Sequence, residues 1–358
     1  MTDPLNPIQP VDDQFTPLTP KDEAPRSQWR RWHLPVLVFL AIASYLIITR
    51  RYAPAPFQQN EGAVFGTFYH ITYQSRDDLH EAIRAELQKV DASLSMFNPQ
   101  STLSRINQGE DVQPDTLFRA VYTLAQQVSE ATDGAFDITV APLVNAWGFG
   151  FKNGVLPDSA TVDSLLQFVG FQHIRLDNDG YIRRDDERTM LDCGAVAKGF
   201  GVDVVADLLR SEGIHNFMVE IGGEVIVSGN NPKGQPWHVG VNRPTDDPTG
   251  TSNQLQTVLE LTDCAMATSG NYRNYYTTED GRRVAHTIDP ATGYPVQHNI
   301  LSATVLAPTC AEADAFATSF MVLGLDRART VLSRHPELQV YFICDSAGHN
   351  KIFSTLKP

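Results

Sequence analysis

The chain has 358 residues, 42 acidic against 28 basic side chains, a formal net charge of -14 and 42% hydrophobic residues. That apolar fraction supports a packed core and excludes wholesale disorder, and the length allows one large domain or two smaller ones. The negative charge excludes general nucleic-acid binding, because no basic field offsets phosphate repulsion.

Residues 1–31 are rich in Pro, Asp, Gln and Thr and poor in large apolar residues, the composition of a disordered tail. His33 is followed by the uncharged run LPVLVFLAIASYLIIT, which ends at Thr49; Arg26, Arg30 and Arg31 precede it, and Arg50 and Arg51 follow. At about 16 residues the run is shorter than the ~20 usual for a spanning helix, but arginines at both ends can snorkel. We read 32–51 as a single uncleaved transmembrane anchor. A cleaved signal peptide is the rival reading. It is opposed by the long segment ahead of the run and by Pro56, which follows the best small-residue site, Ala53-Pro54-Ala55. A buried core helix is a third reading. Bases on both sides leave the orientation open.

Residues 52–61 (YAPAPFQQNE) read as a linker, and 62–358 as a folded domain. VFGTFYHITYQ alternates as a strand does. DDLHEAIRAELQKVDASLSMF has helical spacing with acids at its start. Further helices are expected at Leu117–Thr132, closed by Asp133-Gly134, and from Pro157–Asp158 onward. HIRLDNDGYIRRDDERTMLD reads as short strands with a hairpin at Asn178-Asp179-Gly180. Ala195–Leu209 reads as a helix and NFMVEIGGEVIVSG as two strands broken at Gly222-Gly223. WHVGVNRP, LQTVLELTDCAMATSG, RRVAHTIDP, LSATVLAP, LQVYFICD and KIFST add strands, while Ala311–Leu323 and Leu325–Leu332 are helical. There is no regular βαβ alternation, so the fold class is α+β. Cys193, Cys264, Cys310 and Cys344 are scattered with no CxxC pair, which disfavours a zinc site and leaves buried free thiols as the default.

Four stretches can carry chemistry. In LDCGAVAKGFGVD, Asp192 stands at the expected start of a helix, where it can cap backbone N–H groups and where anions are also attracted. Gly194 leaves the backbone open to a ligand, and Lys198 follows one turn later. The order is neither a Walker loop nor a dinucleotide fingerprint. A plain capped helix packed on a sheet is the competing reading. In ATDGAFDITVAPL, Asp137 lies between Phe136 and Ile138, so it is either a turn-stabilising group or a carboxylate aimed into a pocket. In VAHTIDPATGYPV, His286 precedes a Pro/Gly turn and is either structural or a general base. In APTCAEADAFATSFMVLG, Asp314 and Thr318 share one helical face. A carboxylate and a hydroxyl are hard oxygen donors that suit Mg2+ or Ca2+, although the pair alone is a weak signal.

Taken together, FGTFYHIT, MFNPQSTLSRIN, ATDGAFDITVAPLVNAWGFG, LDCGAVAKGFGVD, VEIGGEV, ATSGNYRNYY, HTIDPATGYP and the Glu312–Thr318 segment resemble the ApbE family of Mg2+-dependent FAD:protein FMN transferases. The resemblance runs from about Gly62 to Phe353. It implies a single mixed-sheet domain with a T-fold-like sheet and packed helices. It implies that FAD is split, that FMN passes to a Thr or Ser hydroxyl of a target redox protein, and that AMP leaves. By resemblance, Asp314 and Thr318 hold Mg2+ together with the Ala195 carbonyl, and His286 is the base. Flavin contacts map onto Phe65, Phe97, Ala135, Phe136, Asp137, Asp192, Lys198 and Ile288. Phe65 and Phe97 stand where some relatives have Met and Tyr, and both can still cover a ring. The family works at the periplasmic face of the bacterial inner membrane, which implies an inside N-terminus and an outside catalytic domain. FAD hydrolysis to FMN and AMP, and a non-catalytic flavin carrier, are the alternatives.

Overall fold

The computed structural model describes residues 29–52, 54–150, 156–244, 254–271, 275–277, 283–346 and 349–356. The chain divides into two units, 1–54 and 55–358. The expected tail lies outside the described residues up to 28. In the first unit a helix, α1 (Trp29–Tyr52), covers the expected anchor and contains Pro35. Leu34, Leu37, Phe39, Tyr45 and Ile47 are all more than 60% exposed on it. Even so, no helix among the described residues is long and apolar enough to cross a membrane. The expected spanning anchor is corrected accordingly. About 16 uncharged residues give only ~24 Å of helix against ~30 Å of hydrocarbon.

In the second unit, β1 (Phe57–Val64) and β2 (Thr67–Gln74) form a hairpin. Helices α2 (His80–Leu94), α3 (Thr102–Asn107), α4 (Thr116–Ala131), α5 (Ala141–Ala146) and α6 (Ser159–Leu166) follow, then the small hairpin β3 (Ile174–Leu176) and β4 (Ile182–Arg184). After α7 (Ala197–Ser211) come β5 (Phe217–Ile221), β6 (Glu224–Ser228), the hairpin β7 (Trp237–Asn242) and β8 (Leu255–Leu261), and β9 (Cys264–Gly270). The chain continues through β10 (Tyr275–Thr277), β11 (Arg283–Ala285), β12 (Ile300–Ala307), α8 (Cys310–Leu332), β13 (Gln339–Ser346) and β14 (His349–Ser354). The main sheet has the order β1-β2-β5-β6-β9-β12-β13-β14. The α+β expectation holds, but the expected mixed sheet is antiparallel at every neighbouring pair. Its strands join by tight turns or return over the sheet, so no strand–helix–strand crossover is needed to place a parallel neighbour. The parallel pairing that the described residues do show is an isolated bridge, Val140 to Met190.

β1 starts at Phe57, inside the segment expected as linker. Its polar sequence hides a strand held by side-chain bonds. Asn60 is buried, donates to Asp78 Oδ1 at 3.0 Å and accepts from the Tyr73 hydroxyl at 2.8 Å. All four cysteines are free thiols, three of them buried.

Two helices lie on the sheet, α7 over β5 and β6, and α8 over β9 and β12. Val202, Val205, Ala206 and Leu209 form the buried face of α7. At ~1.5–3 kcal/mol for each large side chain, that face alone anchors the helix. On α8, Ala313, Ala315 and Ala317 alternate with Phe316 and Phe320 along a buried length that changes course at Gly324, whose φ of 71° is not helical. The two helices meet at Gly199, where any Cβ would stand 2.3 Å from the Cys310 carbonyl oxygen. Asp203 then ties them together: its carboxylate accepts from the first backbone N–H groups of α8, Cys310 and Ala311, both at 2.8 Å. Thr309 and Glu312 complete a capping box at the same end.

Candidate active site

The contact between α7 and α8 brings the start of one helix against the second turn of the other. Lys198 is the second residue of α7, and its ammonium lies 3.9 Å from Asp314 Oδ2 on α8 and pairs more closely with Glu224 Oε1 at the start of β6. The adjacent Gly199 N–H donates to Asp314 Oδ2 at 3.1 Å. Burial alone would lower the Lys198 pKa; Asp314 and Glu224 reverse this and hold the ammonium protonated. Glu224 reaches this point because Gly222 and Gly223, with φ of 61° and 101°, make the tight turn between β5 and β6. One turn along α8 from Asp314, the Thr318 hydroxyl shares a hydrogen bond of 3.0 Å with Ser269 Oγ at the end of β9.

These groups line a cleft of about 430 Å3 together with Ala135, Phe136, Asp137, Asp192, Ala195, His286 and Ile288. Ten of the twelve residues expected from sequence therefore share one cavity. The other two, Phe65 and Phe97, line a second cleft of about 470 Å3, which also takes Asp192 and Lys198 as wall residues. Phe65 sits at the tip of the β1–β2 turn with φ of 50°, and its ring covers Gly201 on α7. Phe97 is 76% exposed at the mouth.

Individual roles differ in part from those expected. Asp192 does not cap α7, which begins five residues later with Val196 at its N-cap and no side-chain cap. Its Oδ1 instead accepts from Gly194 N–H at 2.7 Å, within the turn before the helix, and its own N–H donates to Ile138 at 2.6 Å. Burial pushes its carboxyl pKa up. Asp137 is buried, and its Oδ1 accepts from both the N–H and the hydroxyl of Thr139, each at 2.7 Å, so the turn-stabilising reading is correct at that oxygen. Burial raises its pKa against those bonds. His286 follows β11 directly and stands edge-on to the Phe149 ring at 6.3 Å. Ile288 is buried where it bridges to Pro295, and the Asp289–Gly293 turn closes on itself at 2.8 Å.

Glu224 and Ser269 were missed as site residues. Glu224 lay within VEIGGEV, where an acid directly after a glycine pair at a strand start was the available signal. Among the described residues no three His, Cys, Asp or Glu side chains gather as a metal cluster. Among the groups that line the cleft, Asp314, Thr318 and Ala195 can offer a carboxylate, a hydroxyl and a backbone carbonyl. That hard-oxygen set fits Mg2+, which takes few protein ligands and keeps water or phosphate for the rest.

The ApbE family model matches residues 65–342. An FAD:protein FMN transferase of Escherichia coli K12 is 37% identical over 296 residues, covering 79% of this chain and 83% of its own. Its Vibrio cholerae counterpart is 36% identical over 303 residues, covering 82% and 89%. Among solved structures, the flavin transferase ApbE from Vibrio cholerae superposes with a TM-score of 0.76 at 35% identity, over 84% of this chain and 97% of that one. The apo flavinyl transferase ApbE of Pseudomonas stutzeri gives 0.75 at 28% identity, over 85% and 96%. With this antiparallel sheet, these motifs in this order and these likenesses over most of its length, the chain belongs to the ApbE family.

Proposed function

We propose that this chain is a Mg2+-dependent FAD:protein FMN transferase. An acceptor Thr or Ser hydroxyl attacks the FMN phosphorus of FAD, the bond to AMP breaks, and FMN is left on the acceptor as a phosphoester. The observation that carries the reading is the meeting of Asp314, Thr318, Ala195, Lys198 and His286 around one cleft. Phosphoryl transfer needs alignment and charge neutralisation more than it needs a protein nucleophile. Asp314 and Thr318, with the Ala195 carbonyl, would hold the Mg2+, which supplies charge neutralisation at the pyrophosphate. Lys198 adds a fixed positive charge, and His286 takes the acceptor proton. Ala135, Phe136 and Ile288 give the first cleft an apolar wall, and Phe65 and Phe97 flank the second, so an elongated flavin nucleotide can span both.

The test is incubation of the purified chain with FAD, Mg2+ and a candidate acceptor, read as in-gel flavin fluorescence and released AMP. A fluorescent acceptor with AMP is expected. AMP without labelling would replace transfer with FAD hydrolysis, and neither product would leave a flavin carrier.

Placement at the periplasmic face of a bacterial inner membrane belongs to the same proposal. Membership of the ApbE family, whose resemblance implies that placement, supports it. Fractionation with protease treatment of spheroplasts tests it, and a catalytic domain protected until lysis would contradict it.

A further inference from the structure

The cleft holds a group that the proposed reaction does not use. Glu224 is 4% exposed, and one of its oxygens pairs with Lys198. Its other oxygen, Oε2, is buried with no hydrogen-bond partner among the described residues. A buried carboxylate that leaves one oxygen unsatisfied is unfavourable in itself, so its presence points to a purpose. Lys198 identifies it. The ammonium stands between two buried acids, close to Glu224 and at 3.9 Å, the outer limit of an ion pair, from Asp314. A lysine without Glu224 would close on Asp314, the neighbouring buried anion, and neutralise the carboxylate offered to the cation.

We propose that Glu224 is a positioning residue: it holds the Lys198 ammonium off Asp314, so that Asp314 stays open to a divalent cation. The inference rests on the cation reading of Asp314. One carboxylate thus fixes the lysine while the other is kept for the metal. The Gly222-Gly223 turn delivers Glu224 to Lys198.

The test is Mn2+ binding to the full chain without flavin, followed by electron paramagnetic resonance, in a double-mutant cycle. Glu224→Gln in the wild-type background should weaken Mn2+ binding by about 10-fold or more, the usual scale for a residue behind a metal ligand. In the Lys198→Met background the same substitution should have an effect at least about 10-fold smaller. Equal factors in the two backgrounds would mean that Glu224 acts by its charge alone, and would overturn the inference. Glu224→Asp gives a second check that retains the charge and shortens the reach. Weakened Mn2+ binding is expected, and wild-type binding would overturn the positioning role. Thermal unfolding of each variant confirms that a folded chain is being titrated. Mn2+ binding that survives Asp314→Ala unchanged would sink the cation reading, and this inference with it. Loss in Asp314→Ala with no effect of Glu224→Gln would sink the inference alone.

Discussion

Gly199→Ala tests whether the contact between α7 and α8 builds the site. The added Cβ would lie 2.3 Å from the Cys310 carbonyl oxygen, 2.7 Å from its carbon and 2.9 Å from Ala311 Cα. All three are backbone atoms, so no side-chain rotation relieves the clash. Ordinary contact requires the helices to part by about 1 Å. Overpacking of this kind costs ~1–3 kcal/mol, which lowers the Tm of a domain of this size by roughly 2–10 °C. The same displacement stretches the bond from Gly199 N–H to Asp314, now 3.1 Å, beyond useful hydrogen-bond range. It also moves Asp314 relative to Lys198, and a 1 Å misplacement of reacting groups costs on the order of 100-fold in rate. AMP release at saturating FAD and Mg2+, measured beside thermal unfolding, should show a folded variant with about 100-fold lower turnover. Wild-type turnover at the wild-type Tm would refute the reasoning, because the two helices would then not need this approach.

Other outcomes follow from the same geometry. Asp314→Ala should abolish turnover even at excess FAD, and chelation of the wild-type enzyme should do the same until Mg2+ is returned; a variant with normal Mg2+ dependence would remove Asp314 as a ligand. His286→Ala should lower transfer by about 100-fold or more while fluorescence titration shows FAD still binding, and an unchanged rate would remove it as the base. Burial pushes the Asp203 carboxyl up to about 7, above the ~4 of an unfolded aspartate. The folded chain keeps this proton where the unfolded chain has released it, so the stability due to Asp203 falls as pH rises from about 4 to about 7. Thermal unfolding across that window should show wild type losing more stability than Asp203→Asn, and parallel curves would contradict the assignment.

Local patterns carried much of the architecture. Helix α4 spans Thr116–Ala131 against an expected Leu117–Thr132, and Gly324 interrupts α8 between its two expected segments. What stayed hidden depends on partners distant in the chain. Gln58, Gln59 and Asn60 read as linker because the groups that satisfy Asn60, Tyr73 and Asp78, lie on another strand and the loop beyond it. Asp192 read as a helix cap because local sequence does not show that Gly194 takes its carboxylate first. Glu224 had no visible role because Lys198 lies 26 positions earlier and meets it only once helix and sheet pack. Asp203 likewise caps a helix 107 positions later. Periodicity reports which face of an element is buried, not which element covers it. The resemblance supplied the missing pairings for Asp314, Thr318 and His286, and those residues do line one cleft with Lys198.

The central claim is transfer of FMN to a protein hydroxyl at this cleft. Its most direct test is the mass of an acceptor protein after incubation with the chain, FAD and Mg2+, read with the AMP released. An acceptor heavier by one FMN phosphoester on a Thr or Ser, matched by equal AMP, is expected, with neither product from Asp314→Ala. An unmodified acceptor with no AMP from the wild-type chain, or full labelling by Asp314→Ala, would contradict it.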